Sequence, residues 1–339
     1  MKKVTLLDIA EKVGVSSVTV HNALAGNRGV GDELRSKIQQ TANSLGYAPK
    51  NSTINKTKND IYSTINIGII IAERYMENPL SYYAMVYQET AIVATRVNCS
   101  TMLEVLSDTN ENNMIFPEII KQNKVDGLLL LGAINGEYVK QLSAAANIPV
   151  VCFDFYDKDL GGDAVIADNF YGMYHMTNYL LDKGHTNIAF VGTISANSSI
   201  MDRYLGFCKA FLERGLDINK EWVLDDRGAD GRMFDITLPE KMPTAFACNC
   251  DLVAGRLIKQ LQDLGYSIPN DISIVGFDNF ILDGLCDIAI TTYEIDVKKM
   301  AEIALRKAIN CIHKNELDFN RMEIVTGHVV EKNSVKGRN

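Results

Sequence analysis

The stretch Val4-Thr5-Leu6-Leu7-Asp8-Ile9-Ala10-Glu11-Lys12-Val13-Gly14-Val15-Ser16-Ser17-Val18-Thr19-Val20-His21-Asn22-Ala23-Leu24 decides how the chain begins. Thr5 is a capping residue, and Asp8 places a carboxylate in the first turn of the helix that follows. Leu6, Ile9, Ala10 and Val13 recur at helical spacing, and Gly14 supplies the left-handed stop. Ser16 then caps a second short helix through about Leu24. Val20, Ala23 and Leu24 face inward on it, while Ser17, Val18, His21 and Asn22 share the opposite side. Two helices joined by a short Gly-containing turn make a helix-turn-helix, whose second helix fits a DNA major groove. A third amphipathic helix, Asp32 to Leu45, lines up Leu34, Ile38, Ala42 and Leu45 and stops at Gly46. The same spacing also occurs in purely structural bundles, so spacing alone leaves both readings open.

Charge separates this head from the rest. The 339 residues carry a net charge of -8, which taken whole argues against a nucleic-acid partner. Residues 1–60, however, hold nine basic against five acidic side chains, +4, and the remaining residues hold 25 against 37, -12. A basic head on an acidic body suits phosphate contact confined to the head. With 47% hydrophobic and 22% charged residues and 7 prolines, disordered, collagen-like and low-complexity classes are excluded, and the length implies two or three domains.

Asp8, Glu11 and Lys12 interrupt what an export signal would need as an apolar stretch, and runs such as Ile67 to Ala72 and Leu128 to Ala133 are too short to span a bilayer. A cytoplasmic protein with no membrane contact is expected. The seven cysteines are scattered without a CxxC pair, so buried reduced thiols are expected and no metal site.

From about residue 62 short β-rich runs alternate with amphipathic stretches: Ile65 to Ala72, Ser81 to Val97, Thr101 to Leu106, Asn112 to Asn123, Val125 to Leu131, Glu137 to Ala146, Pro149 to Phe153. A second series runs Phe170 to Lys183, Ile188 to Val191, Met201 to Arg214, Thr244 to Ala247, Asp251 to Leu264, Ile272 to Phe277. A last helix, Asp296 to His313, and two short strands, Arg321 to Thr326 and His328 to Val330, imply that the chain recrosses between two lobes. This predicts an α/β class with doubly wound parallel sheets. Ligands of such sheets bind at the carboxyl ends of the strands. The residues standing there are Glu73, Arg74 and Tyr75, then Asp154, Asn249 and Asp278, with Arg203 early in a helix. Fork donors and carboxylate or amide acceptors suit a small polar ligand such as a sugar, although strand-end polar residues are also routine turn formers.

The head, together with Leu45-Gly46-Tyr47-Ala48-Pro49, resembles the headpiece of LacI/GalR-type bacterial transcriptional regulators. Asn66-Ile67-Gly68-Ile69-Ile70, Asp126-Gly127, Ile148-Pro149-Val150-Val151, Gly184-His185, Asp202-Arg203-Tyr204-Leu205-Gly206-Phe207, Cys248-Asn249-Cys250-Asp251, Asp271 through Asn279 and Thr291-Thr292 resemble that family's type I periplasmic-binding-protein-like domain. The resemblance covers essentially the whole chain. It implies a headpiece at 1–49, a hinge at 50–61 and an effector-binding and dimerisation domain at 62–339, with one lobe near 62–160 plus 294–320 and the other near 161–293 plus 321–339. It implies DNA contacts at Thr5, Leu6, Ser16, Ser17, Val18, Thr19, His21, Asn22, Asn27, Val30, Tyr47, Lys50 and Ile54. Effector contacts are implied at Arg203 and Asp278, then Asn249 and Asp251, then Asp154, Glu73 and Tyr75. Trp222, the only tryptophan, either stacks on a sugar face or fills the core.

Two departures bear on mechanism. His21-Asn22 stands where the family has Ser-Arg; Asn pairs with adenine where Arg pairs with guanine, which predicts a different half-site, while His21 reaches a base, a phosphate or only solvent. In the hinge, Lys50, Thr53 and Lys56 occupy an Asn-x-x-Ala-x-x-Leu pattern whose Leu wedges into the minor groove, leaving Ile54 as the one apolar candidate. No GxSxG, HExxH, phosphate loop or GxGxxG motif appears, so neither an enzyme nor a cofactor is expected. A transporter's sugar-binding protein would have the same body but an export signal and no basic head. The reading is a homodimeric regulator, a repressor, on a palindromic operator, with higher oligomers open. What closes its lobes is a small molecule, a sugar or sugar derivative first, or else a protein co-regulator.

Overall fold

In the computed structural model, the described residues are 5–24, 30–45, 64–76, 81–156, 163–228, 231–280, 284–314 and 322–338. The expected DNA contacts Asn27, Tyr47, Lys50 and Ile54 lie outside them. The chain forms two compact units, Met1–Ser63 and Thr64–Asn339.

The first unit holds α1 (Leu6–Val13), α2 (Ser17–Leu24) and α3 (Asp32–Leu45). Thr5 and Asp8 form a reciprocal capping box, and Gly14 ends α1 in the left-handed conformation at φ 81°. Ile9, Ala10, Val20, Ala23, Ile38 and Ala42 are the buried core. Arg35 on α3 donates to the carbonyls of Ala23 and Val30, both at 3.3 Å, and so satisfies one end of α2.

The second unit runs β1 (Ile65–Ala72), α4 (Tyr82–Arg96), β2 (Cys99–Leu106), α5 (Asp108–Asn112), α6 (Glu118–Lys121), β3 (Gly127–Leu131), α7 (Gly136–Ala145), β4 (Val150–Phe153) and β5 (Asp163–Ala167). It continues with α8 (Asn169–Asp182), β6 (Ile188–Val191), α9 (Ser198–Glu213), β7 (Val223–Leu224), β8 (Ala245–Cys248), α10 (Asp251–Asp263) and β9 (Ser273–Val275). Then come β10 (Thr292–Ile295), α11 (Val297–Lys314), β11 (Met322–Val325) and β12 (Gly327–Val330). One lobe carries the six-stranded sheet β11-β5-β4-β3-β1-β2, the other the four-stranded sheet β7-β6-β8-β9, with every pairing in both parallel. β1 and β3 are apolar on both faces because helices cover both. β10 and β12 pair antiparallel as the chain recrosses.

Three differences from the sequence reading have physical causes. The first lobe extends to Ala167 and includes Met322–Val325, since β5 and β11 pair in its sheet. β5 has no counterpart in the sequence reading, and its leading Asp163 is buried against Lys307 at 3.0 Å within the lobe. Of the helix expected over Asn112 to Asn123 only α6 forms, α5 ending at Asn112, because Met114 turns left-handed at φ 57° and Pro117, the N-cap of α6, supplies no amide hydrogen. Gly206 is required by close approach: a Cβ there would stand 2.0 Å from the Phe170 carbonyl oxygen. That contact seats α9 on α8 and brings Arg203, one turn earlier, to Asn169.

Candidate functional site

In the headpiece, the outer face of α2 is what the sequence leads one to expect. Val20 and Ala23 are buried, while Val18 is 65% exposed and His21 is exposed. Ser16 caps the helix: its hydroxyl accepts from the Thr19 amide at 3.0 Å and shares a 2.8 Å hydrogen bond with the Thr19 hydroxyl. Thr5 is likewise engaged, its hydroxyl donating to Asp8 at 2.7 Å. These hydroxyls hold the helix starts; on the outer side of α2 Val18 and His21 are exposed, while Ser17 and Asn22 are half-buried. Leu6 and Val30 are partly buried against the small core.

In the body, a cavity of about 430 Å³ lies where the strand ends of the two lobes face each other. Arg203 forms its floor. The buried guanidinium donates Nε to Asn169 Oδ1 at 2.8 Å, Nη1 to the Asn249 carbonyl and Nη2 to Asp278 Oδ1 at 3.2 Å, and it lies 3.8 Å over the Phe277 ring. Asp154, at the end of β4, and Asp278, beyond β9, both take positive φ (64° and 94°), which turns their side chains out of the strand direction. Their backbone amides are tied to Val165 and Tyr293 carbonyls, at 2.8 and 2.9 Å. Burial pushes the Asp154 carboxyl up to about 7; Arg203 opposes the shift, and Asp278 adds to it. Asp278 is raised too, by burial, against the pull of Arg203.

Asn249 lines the cavity, but its amide is committed, donating to the Val191 carbonyl at 2.9 Å and to Asp226 at 3.0 Å. Burial opposes the charge on Asp226, yet the Arg227 guanidinium, the Thr193 amide and Asn249 together hold it below the usual carboxylate range. Tyr75 reaches the wall from the turn after β1, its hydroxyl donating to the Ala133 carbonyl at 3.1 Å.

Three expected contacts stand elsewhere. Glu73 turns from the cavity and accepts the Asp108 amide at 3.0 Å. Asp251 sits behind the wall, accepting from Phe280 N at 2.9 Å and Thr292 Oγ1 at 3.0 Å; its other oxygen, without a partner among the described residues, packs on Gly276, and burial keeps its carboxyl well above the ordinary range. Trp222 is a core residue: its indole donates to the Lys241 carbonyl at 2.9 Å among the apolar residues of the second lobe, so it offers no face to a ligand.

The sequence reading missed Tyr82, Tyr83, Arg227 and Phe280 as wall residues. Tyr82 and Tyr83 open α4, directly after the Ser81 cap, where helix starts face the crevice. That signal was available. Arg227 follows β7, a strand of two residues that periodicity cannot detect. Among the described residues no cluster of His, Cys, Asp and Glu could hold a metal ion, and no helix is long and apolar enough to cross a membrane.

Comparison with known proteins bears on both units. Residues 5–50 match the bacterial regulatory proteins of the lacI family, and residues 177–335 match the periplasmic binding protein-like domain. The HTH-type transcriptional repressor PurR of Glaesserella parasuis is 28% identical over 335 residues, covering 96% of this chain and 95% of that protein. The transcriptional regulator CelR in its cellobiose complex shares the fold at a TM-score of 0.67 and 18% identity, covering 98% of this chain and all of that one. The lac repressor dimer bound to operator and the anti-inducer ONPF does so at 0.64 and 17%, covering 99% and 100%. The chain therefore joins a lacI-family helix-turn-helix domain to a periplasmic-binding-protein-like domain, and is similar over almost its whole length to DNA-binding transcriptional repressors.

Proposed function

We propose that the chain is a cytoplasmic repressor that binds a palindromic operator as a homodimer and is controlled by a small polar effector, carbohydrate first, in the inter-lobe cavity. One headpiece reads one half-site, so useful affinity requires two, and two-fold symmetry in the protein implies it in the DNA. The lac repressor of the structural comparison is a dimer on its operator, and CelR holds cellobiose on the same fold. Relatives named as repressors support that sign of action.

The observation that carries the effector reading is the cavity itself. Asp154 comes from one lobe and Arg203 with Asp278 from the other, so a ligand touching both changes the free energy of lobe closure. Swinging the regulator from 1:99 to 99:1 requires a preference of roughly 5.5 kcal/mol for one state. A pocket of this size favours a small molecule over a protein co-regulator.

The test is to recover the genomic sites the protein occupies and titrate one such duplex with purified protein, with and without sugars and nucleosides. Two protomers per palindromic site and ligand-dependent release support the proposal. Binding as a monomer, or an affinity that no small molecule changes, contradicts it.

A further inference from the structure

Resting on the reading of the inter-lobe cavity as the effector site, we infer that the effector is a small organic cation, a protonated or quaternary ammonium seated between the Asp154 carboxyl and a band of aromatic rings. The charge inventory of the wall points there. Among the described residues five guanidiniums line the cavity, and each faces a carboxylate: Arg74 with Glu111 at 2.6 Å, Arg227 with Asp226 at 2.7 Å, Arg256 with Asp235 at 3.1 Å, Arg203 with Asp278 at 3.2 Å and Arg232 with Asp108 at 3.8 Å. Asp154 is the carboxyl left over. It lines the same cavity at 6% exposure and forms no ion pair among the described residues.

Tyr75, Tyr83, Tyr82 and Phe280 form a continuous band on the wall, with successive ring centroids 4.5, 5.4 and 6.1 Å apart. The band crosses from the first lobe, at the start of α4, to the second, beyond β9. The carboxyl lies against it. The Tyr83 hydroxyl hydrogen-bonds to Asp154, and burial raises the Tyr75, Tyr82 and Tyr83 hydroxyls, with the Asp154 charge adding to the shift of each. The negative face of such a ring attracts a cation without needing a counter-charge. Arg74 already uses Tyr75 in this way, 5.2 Å from its centroid, whereas Tyr82, Tyr83 and Phe280 carry no cation among the described residues.

A cation supplies what this corner of the cleft lacks. The other charges facing Asp154 are Arg203 and Asp278, which pair with each other. Buried without a counter-ion, the carboxyl is pushed up to about 7 and keeps its proton below that pH. An ammonium nitrogen beside it stabilises the ionised form, so the proton passes to solvent as the ligand enters and a charge-assisted pair forms in its place. An anion would instead have to displace a carboxylate from its guanidinium, and a neutral polyol would leave the proton where it is.

The experiment titrates the full chain calorimetrically at about pH 5.5 and about pH 7, in two buffers of unlike ionisation enthalpy. The ligands are choline, putrescine and glucosamine, with the carbon isostere of choline, butanediol and N-acetylglucosamine as their neutral counterparts and a glucose phosphate as the anion. At least one cation is expected to bind about tenfold more tightly than its neutral counterpart, and about tenfold more tightly at the higher pH, with proton release at the lower. Choline or putrescine as that ligand assigns an alkylammonium, glucosamine an amino sugar. Asp154→Asn should abolish both the preference for charge and the pH dependence, and Tyr82→Ala should weaken the cation about fivefold. A neutral counterpart that binds as tightly, an anion that binds more tightly, or silence from the whole panel overturns the inference. Tyr82→Ala also separates the two levels. An uncharged ligand whose binding is lost in Tyr82→Ala ends the cation assignment but keeps the cleft as the effector site, whereas a cation indifferent to both Tyr82→Ala and Asp154→Asn sits outside the cleft and ends both.

Discussion

The headpiece presents the outward side chains of α2 from one eight-residue helix, whereas the cleft assembles its wall from strand ends scattered over two lobes. On α2 the backbone alone sorts the side chains: Val20 and Ala23 go inward and Val18 and His21 go outward. In the cleft no local rule brings Asp154 near Arg203; two separate sheets and the crossings between them do so. The first region is therefore cheap to place and marginal to hold, and the second is expensive to assemble but anchored in large cores. That contrast makes quantitative predictions.

The largest effect belongs to the cleft. Arg203→Ala leaves Asp278 buried without its partner and should destabilise the body by about 3 to 5 kcal/mol in urea unfolding, with most of the loss recovered when Asp278→Asn is added. A loss under about 1 kcal/mol would show that Arg203 only contacts ligand and does not hold the wall together. Next comes the headpiece core, six buried residues among those described. Ile38→Ala should cost about 3 kcal/mol, enough to unfold so small a unit, and abolish operator binding while leaving the body's own unfolding transition in place. A joint shift of both transitions would deny the independence of the two units.

A pH series probes the cleft more gently. Folded Asp154 keeps its proton up to about pH 7, whereas in the unfolded chain an ordinary aspartate releases it near 3.8. The folded state therefore binds more protons between these values. The stability this group contributes is complete below about pH 4 and is lost as pH rises toward 7, at no more than about 1.4 kcal/mol per pH unit. Asp154→Asn should flatten that part of the profile; an unchanged slope would assign it to other groups. The smallest effect returns to α2: Asn22→Ala should relax discrimination at one base pair by about 1 to 3 kcal/mol, read by selection from random duplexes.

The same contrast explains what could be read in advance. α1, α2 and α3 were legible to their ends because caps, glycine stops and helical periodicity are local. Strands of continuous apolar residues such as β1 and β3 were equally plain. β5 was not, since its leading Asp163 is a buried ion-pair partner that looks like a loop residue. In the cleft, strand ends nominated Asp154, Asn249 and Asp278 and a helix start nominated Arg203, and all four line the cavity. Strand-end position misplaced Glu73 and the resemblance misplaced Asp251, because a carboxylate beside a backbone amide serves as a cap as readily as a ligand contact. For Trp222 residue type left stacking on a sugar face and filling the core both open, and its burial with the indole hydrogen bond to Lys241 decides for the core. The net charge of -8 also averages two unlike regions.

The central claim, that a basic headpiece reads specific DNA, is tested most directly by enriching bound duplexes from a random pool and measuring the winner's affinity by fluorescence anisotropy across a salt series. The account predicts a two-fold symmetric winner bound far more tightly than its scrambled counterpart, with affinity falling steeply as salt rises. Equal affinity for winner and scrambled duplex would contradict it.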